Sequence, residues 1–100
     1  MAAVEQGDIL SVEGVQYPVA VVSNNYFNRS GKAIVCPVVK KALPGPLHIE
    51  LKDSVVQGWI LCEQVRYLDL DSRLYSKLTQ MHYFDVMDIS DIMVGMFEYQ

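Results

Sequence analysis

A carboxylate, an amide and a guanidinium crowd together where an apolar run ends: Glu63, Gln64 and Arg66 follow Gly58-Trp59-Ile60-Leu61-Cys62. Such groups at the end of a buried strand have to be paired, hydrogen-bonded or turned onto a ligand, because burying them alone is costly. Together they offer a base, an amide that donates and accepts, and a fork of donors that matches an anion bidentately. An arginine at such a strand end can equally tie down a loop or pair across a dimer. Glu63 and Arg66 are three residues apart, so in one continuous strand they would lie on opposite faces.

The elements that must position these groups are bounded by composition. One hundred residues, 51% of them hydrophobic, suffice for a single domain over 1–100 with its own core and are too few for two. The net charge of -4 argues against nonspecific binding to a polyanion, which needs a basic surface. A local basic site remains compatible with it: Arg29, Lys32, Lys40 and Lys41 flank one predicted strand, whereas Asp85, Asp88, Asp91 and Glu98 gather near the C-terminal end. Cys36 and Cys62 each sit in an apolar, strand-like run without a CxxC or Cys/His cluster, so buried free thiols and no metal or other cofactor are expected. No apolar run approaches the roughly 18 residues of a membrane span. The first six residues lack the basic and apolar regions of a signal peptide, which predicts a soluble, cytoplasmic protein with no membrane contact.

Alternation and turn residues predict strands over 9–13 and 17–22, joined as a hairpin at Gly14. Turn chemistry at 23–25 and 28–31 surrounds Tyr26-Phe27 and precedes a β-branched strand over 32–39. Leu43-Pro44-Gly45-Pro46 closes that strand, 47–51 alternates as a half-exposed one, 52–57 is a loop, and 58–68 runs on through Glu63, Gln64 and Arg66. From 80 to 97 the period becomes helical, with Thr79 as N-cap. Val86, Ile89, Met93, Met96 and Phe97 share one face, which Tyr83, Met87 and Val94 extend around the cylinder. The arc exceeds the stripe of about 100° that docks a helix on its own sheet, so Val86, Ile89, Met93 and Phe97 are predicted at a homodimer interface. A helix sunk in the groove of a strongly curved sheet is the alternative. His48 reads as an exposed polar position, Trp59 as core or interface, and Tyr17 first as a packed strand residue.

In order and spacing over about 6–97, the chain resembles the MazF/PemK/Kid toxins of toxin-antitoxin modules. The resemblance rests on Gly7-Asp8-Ile9, on Pro18-Val19-Ala20-Val21-Val22-Ser23-Asn24, on Val35-Cys36-Pro37-Val38, and on Cys62-Glu63-Gln64-Val65-Arg66 followed by Leu68-Asp69. It implies a mainly β fold, a small SH3-like twisted antiparallel barrel with a C-terminal helix, usually homodimeric. It also implies a cytoplasmic, metal-independent endoribonuclease that cuts single-stranded RNA, and an antitoxin that occupies its groove. The reaction is attack of a ribose 2'-hydroxyl on the adjacent phosphate, which needs a base, a cation or donor at the phosphate, and an acid for the leaving oxygen.

The chain departs from the family's usual catalytic set. Tyr17 stands before Pro18 where the family carries arginine, Val39 stands where it carries threonine or serine, and Leu61 stands where the Kid-like variant carries a further arginine. The long first hairpin loop of the family is reduced to Ser11-Val12-Glu13-Gly14-Val15-Gln16. The residues left for catalysis are Glu63 and Arg66, with Tyr17, Lys40, Lys41, Gln64 and Tyr67 as RNA-binding candidates through phosphate contacts, base-edge hydrogen bonds and stacking. Three functions are compatible with this set: an endoribonuclease with a rearranged site, a PemK-like nucleic-acid or protein-binding module without cleavage, and a gyrase poison like CcdB acting through the tail Met96-Phe97-Glu98-Tyr99-Gln100. The Glu-Gln-Val-Arg motif counts against the third.

Overall fold

Hydrogen bonding along the chain is dominated by β3 (Lys32–Val39), the longest strand and the axis around which the others are arranged. The computed structural model describes residues 4–98; Tyr99 and Gln100, at the end of the tail considered above, lie outside them. Along one edge of β3, Val35 to Pro37 pair antiparallel with β2 (Val19–Val21), which pairs with β1 (Asp8–Val12), which pairs with β7 (Tyr75–Gln80). Along its other edge, Val38 and Val39 pair with β5 (Gln57–Leu61), itself paired with β4 (His48–Lys52), while Lys32 to Val35 pair with β6 (Arg66–Asp69). The seven antiparallel strands curl into a half-barrel, in the order β4-β5-β3-β2-β1-β7, with β6 beside β3.

Strand alternation gives the curled sheet two apolar layers on opposite faces. On one face Leu10, Val12, Val19, Val21, Val35 and Leu68 are buried together and closed over by Val4, Val15 and Leu70 of a short 3-10 helix (Leu70–Ser72). On the other, Ile9, Ala20, Cys36, Val38, Leu51, Ile60 and Cys62 are buried beneath the C-terminal helix α2 (Tyr83–Phe97), which contributes Ile89. Burial pushes the Cys36 thiol up to about 12 and the Cys62 thiol up to about 11, so both cysteines are free, protonated and unreactive as thiolates.

The β1–β2 hairpin and the extents of β3 and β4 follow the alternation read from sequence. Between β2 and β3, the turn segment forms α1 (Asn25–Asn28), a single helical turn capped by the Asn24 side chain, which accepts from the Phe27 amide at 2.9 Å. Asn28 is buried there and donates to the Ser23 carbonyl at 3.0 Å, and no buried side-chain nitrogen or oxygen among the described residues lacks a hydrogen-bond partner.

Three expectations need correction. The run 58–68 is not one strand. Residues 61–65 stand opposite only Cys36 and Pro37, so most of them bulge away from β3 in a tight turn closed by the Gln64 amide on the Leu61 carbonyl at 3.1 Å. Pro37 has no N–H to offer that edge, which makes it a natural place for the pairing to open. The predicted helix is shorter than 80–97: Thr79 and Gln80 belong to β7, and α2 begins at Tyr83 with His82 as an N-cap that makes no side-chain bond.

The predicted dimer set on α2 is divided. Ile89 is 4% exposed, and Val86 and Met93 pack on the second core, whereas Phe97 is 78% exposed. The helix's unburied apolar strip is instead Tyr83, Met87, Val94 and Phe97, beside Phe84.

Candidate RNA-binding cleft

Where residues 61–65 leave β3, they open a cleft of about 240 Å³ floored by Val35 and Pro37. The register determines what surrounds it. Pro37 lies opposite Val19 of β2, and Val35 opposite Arg66 of β6, so Val19 and Arg66 share the face of β3 that carries Val35 and Pro37. Tyr17, at the entry to β2, forms one wall, and Gln64, Val65 and Arg66 form the other. The cleft is therefore where the first apolar layer comes to the surface.

Three of the residues singled out from sequence, Tyr17, Gln64 and Arg66, are brought together here. All three are exposed, so they cost no desolvation of the kind expected for a buried strand end. Arg66 makes neither a hydrogen bond nor an ion pair with another side chain among the described residues. Lys32, by contrast, is held by Asp69 and Asp71 at 3.4 and 3.6 Å, and the Asp69 hydrogen bond raises its pKa. Of the basic residues around β3, Lys32 is thus committed to a surface ion pair, and Arg66 is free for an external anion.

The others lie elsewhere. Tyr67 follows Arg66 in β6 and stands opposite Ile34, on the reverse face, 58% exposed. Lys40 borders a second, larger cleft beside β4 and β5, and Lys41 is exposed in the following loop. Glu63 turns away from the cleft toward the end of β4. Because residues 61–65 are a turn, the opposite-faces argument for Glu63 and Arg66 does not hold; the two are separated by the path of the turn.

Glu63 has a partner that sequence reasoning passed over. His48 opens β4 opposite Leu61, and its Nε2 lies 3.1 Å from Glu63 Oε2 while its Nδ1 lies 2.6 Å from the Leu43 carbonyl oxygen. Both neighbours accept hydrogen bonds, so only the doubly protonated ring donates to each. Accordingly the Leu43 carbonyl first, and Glu63 second, raise the His48 pKa, and the His48 hydrogen bond lowers that of Glu63. The pair clasps the loop after β3 onto the turn that lines the cleft.

The sign of the pH dependence follows from both shifts. A raised histidine pKa stabilises the folded state below the ordinary histidine value and loses that contribution as pH rises through the folded value. A lowered glutamate pKa contributes above the ordinary glutamate value and is lost as pH falls through the folded one. The clasp is therefore complete from about pH 4.5 to 6.5 and opens on either side. An NMR titration is expected to show His48 titrating above the ordinary histidine value, and Glu63→Gln moving it down only in part, because the Leu43 carbonyl remains. An unmoved His48 in that variant would mean that the pair does not persist in solution.

Residues 5–92 match the model of the PemK-like, MazF-like toxins of type II toxin-antitoxin systems. The chain belongs to this family. The endoribonuclease toxin ChpB of Escherichia coli (strain K12) is 32% identical over 91 residues, spanning 74% of this chain and 77% of that protein. A chain of a MazE-MazF crystal structure from Deinococcus radiodurans superposes with a TM-score of 0.85 at 22% identity, over 94% of this chain and 95% of that one. A mycobacterial endoribonuclease solved with its cognate antitoxin gives a TM-score of 0.82 at 15% identity over 98% of this chain and all of the other, 100%. At these identities the two structures speak for the fold alone, the mainly β half-barrel with a C-terminal helix. No helix among the described residues is long and apolar enough to cross a membrane.

Proposed function

We propose that this MazF-family protein binds single-stranded RNA across the Tyr17, Gln64 and Arg66 cleft and cleaves it as a cytoplasmic endoribonuclease, within one domain and under the control of a cognate antitoxin. The observation that carries the reading is Arg66: an exposed guanidinium with no side-chain partner among the described residues, on the rim of an apolar cleft whose opposite wall is a tyrosine. A phosphate paired to that fork leaves the adjacent base over Tyr17 and its edge within reach of Gln64. The names of the relatives, an endoribonuclease toxin and an endoribonuclease with an antitoxin, support the same reading.

Cleavage by attack of a 2'-hydroxyl needs a base, an acid and a donor at the phosphate. Arg66 neutralises the phosphate in this proposal; Glu63, its proposed base, is ionised but hydrogen-bonded to His48 outside the cleft, so its role requires the turn over 61–65 to release His48 and swing the carboxylate to the 2'-hydroxyl when RNA binds. Lys40 and Lys41 extend the phosphate track. All of these groups are side chains of the protein, so activity is expected to survive a chelator.

Purified protein incubated with a long mixed-sequence single-stranded RNA and chelator tests the reading against Glu63→Gln/Arg66→Ala. Discrete products from wild type alone support it. RNA that is bound but left intact would reassign the protein as a binding module, a reading that Val39 favours, since it offers no hydroxyl where the family carries one.

The exposed strip on α2 belongs to the same proposal. A stripe of Tyr83, Met87, Val94 and Phe97 is more apolar surface than a lone soluble helix usually leaves in water, and a second copy of the chain is its proposed cover. Val94→Asp is expected to convert a dimer to a monomer in sedimentation without unfolding it, whereas Met93→Asp should lower the thermal midpoint because Met93 packs on the core. A dimer unaffected by Val94→Asp would place the interface elsewhere.

A further inference from the structure

The face of β3 that floors the RNA-binding cleft continues beyond it. Val35 and Pro37 lie in the cleft, and Val39 is next on the same face, opposite Trp59 of β5, which is in turn opposite Glu50 of β4. Val35 and Val39 are about 13 Å apart along the strand. At that point a second, open depression of about 770 Å³ is bordered by Trp59, Lys40 and Lys52, with the half-buried indole beside the two ammonium-bearing side chains. Glu50 lies 3.7 Å from Lys52 and partly offsets its charge. Lys40 has no ion pair among the described residues and is the free cation of the site. The inner face of the same two strands, with Leu51 and Ile60, is core, so the outward orientation of Trp59 is fixed by the sheet.

An aromatic face with a lysine at its edge, on the same strand face as an arginine already placed at a phosphate, has the composition of a base-stacking platform beside a backbone contact. We propose that Trp59, with Lys40 and Lys52, is a second nucleotide subsite that stacks a base of the single-stranded RNA beyond the one held at Arg66. The inference rests on the RNA-binding reading above and extends it: the bound strand runs along the Val35, Pro37 and Val39 face of β3 from Arg66 to Trp59. It also assigns a role to a tryptophan that hydrophobicity alone would put in the core or an interface.

Trp59 is the only tryptophan of the chain, so its emission reports the site directly. The full chain is titrated with a labelled mixed-sequence single-stranded RNA, 2'-O-methylated so that it cannot be cut, following label anisotropy and tryptophan emission together. Stacking predicts quenching that saturates with the anisotropy, an affinity about ten-fold weaker in Trp59→Leu, and a smaller loss in Trp59→Phe. Lys40→Ala should weaken binding and lower the salt dependence by about one phosphate contact. Rising anisotropy with unchanged emission would overturn the Trp59 subsite and leave the Arg66 cleft standing, and it needs no variant to fold. No rise in anisotropy would overturn both.

Discussion

Arg66→Ala is expected to weaken binding of single-stranded RNA by about 10- to 100-fold at low salt, with a thermal midpoint within about 2 °C of wild type. The size follows from charge-assisted hydrogen bonds, worth about 1.5–3 kcal/mol when one partner is removed. The absence of a stability cost follows from position. The Arg66 side chain is exposed and has no side-chain partner among the described residues, while its backbone is held opposite Val35 by the ladder, which alanine keeps. Arg66→Lys should fall between the two, since it keeps the charge and loses the bidentate fork. The log-log salt slope should become shallower by about 0.7 in Arg66→Ala, the increment for one single-strand phosphate. A midpoint several degrees lower with unchanged affinity would make Arg66 a structural tie, the other role considered for it from sequence.

What could be read from the chain divides along physical lines. β1, β2 and β3 were legible because both of their faces enter a core, which leaves short Val- and Ile-rich runs bounded by turn residues, and β4 because only one of its faces does, so that it alternates. β7 was not. Its first three residues, Tyr75, Ser76 and Lys77, are all exposed, so it carries little alternation, and it pairs with β1, far away in sequence. The expected N-cap Thr79 and the first expected helical residue, Gln80, are the last two residues of this strand. The same locality explains the helix faces. The arc on α2 was as wide as expected, but periodicity cannot say which part of an arc meets its own sheet, and the sheet took Val86, Ile89 and Met93.

For the site, the motif was legible and its conformation was not. An apolar run entering Glu63, Gln64 and Arg66 looks like one strand until Pro37 is set opposite it, and that pairing is known only from the register. The turn then sends the residues different ways: Gln64 and Arg66 into the cleft with Tyr17, Glu63 to His48. His48 could have been found. A hairpin between the runs 47–51 and 58–61 places it opposite Leu61, next to the turn that carries Glu63. Lys40 and Lys41 follow β3 directly, and the end of that strand delivers Lys40 to the Trp59 depression rather than to the Arg66 cleft.

That junction is also where the fold should be most easily broken. Gly58 of β5 has φ of +156°, and a Cβ built on it would lie 2.5 Å from the Val39 carbonyl oxygen and 3.1 Å from its carbon. Both obstacles are backbone, so no rotamer change relieves them; alanine would have to part β5 from β3. The two strands are joined through only Val38 with Ile60 and Val39 with Trp59, which leaves little ladder to absorb the strain. Gly58→Ala is therefore expected to cost about 2–4 kcal/mol, and to lower the thermal midpoint by about 10–25 °C. Gly95→Ala is the matched control. It lies in α2 with open space around its added Cβ and should stabilise by up to about 1 kcal/mol. If Gly58→Ala melts like wild type, the β3–β5 junction tolerates the added Cβ, and the continuous face proposed to carry RNA from Arg66 to Trp59 loses its rigid middle. If it melts early while folded protein at low temperature still binds RNA through Arg66 but no longer quenches Trp59, the junction is what aligns the two subsites.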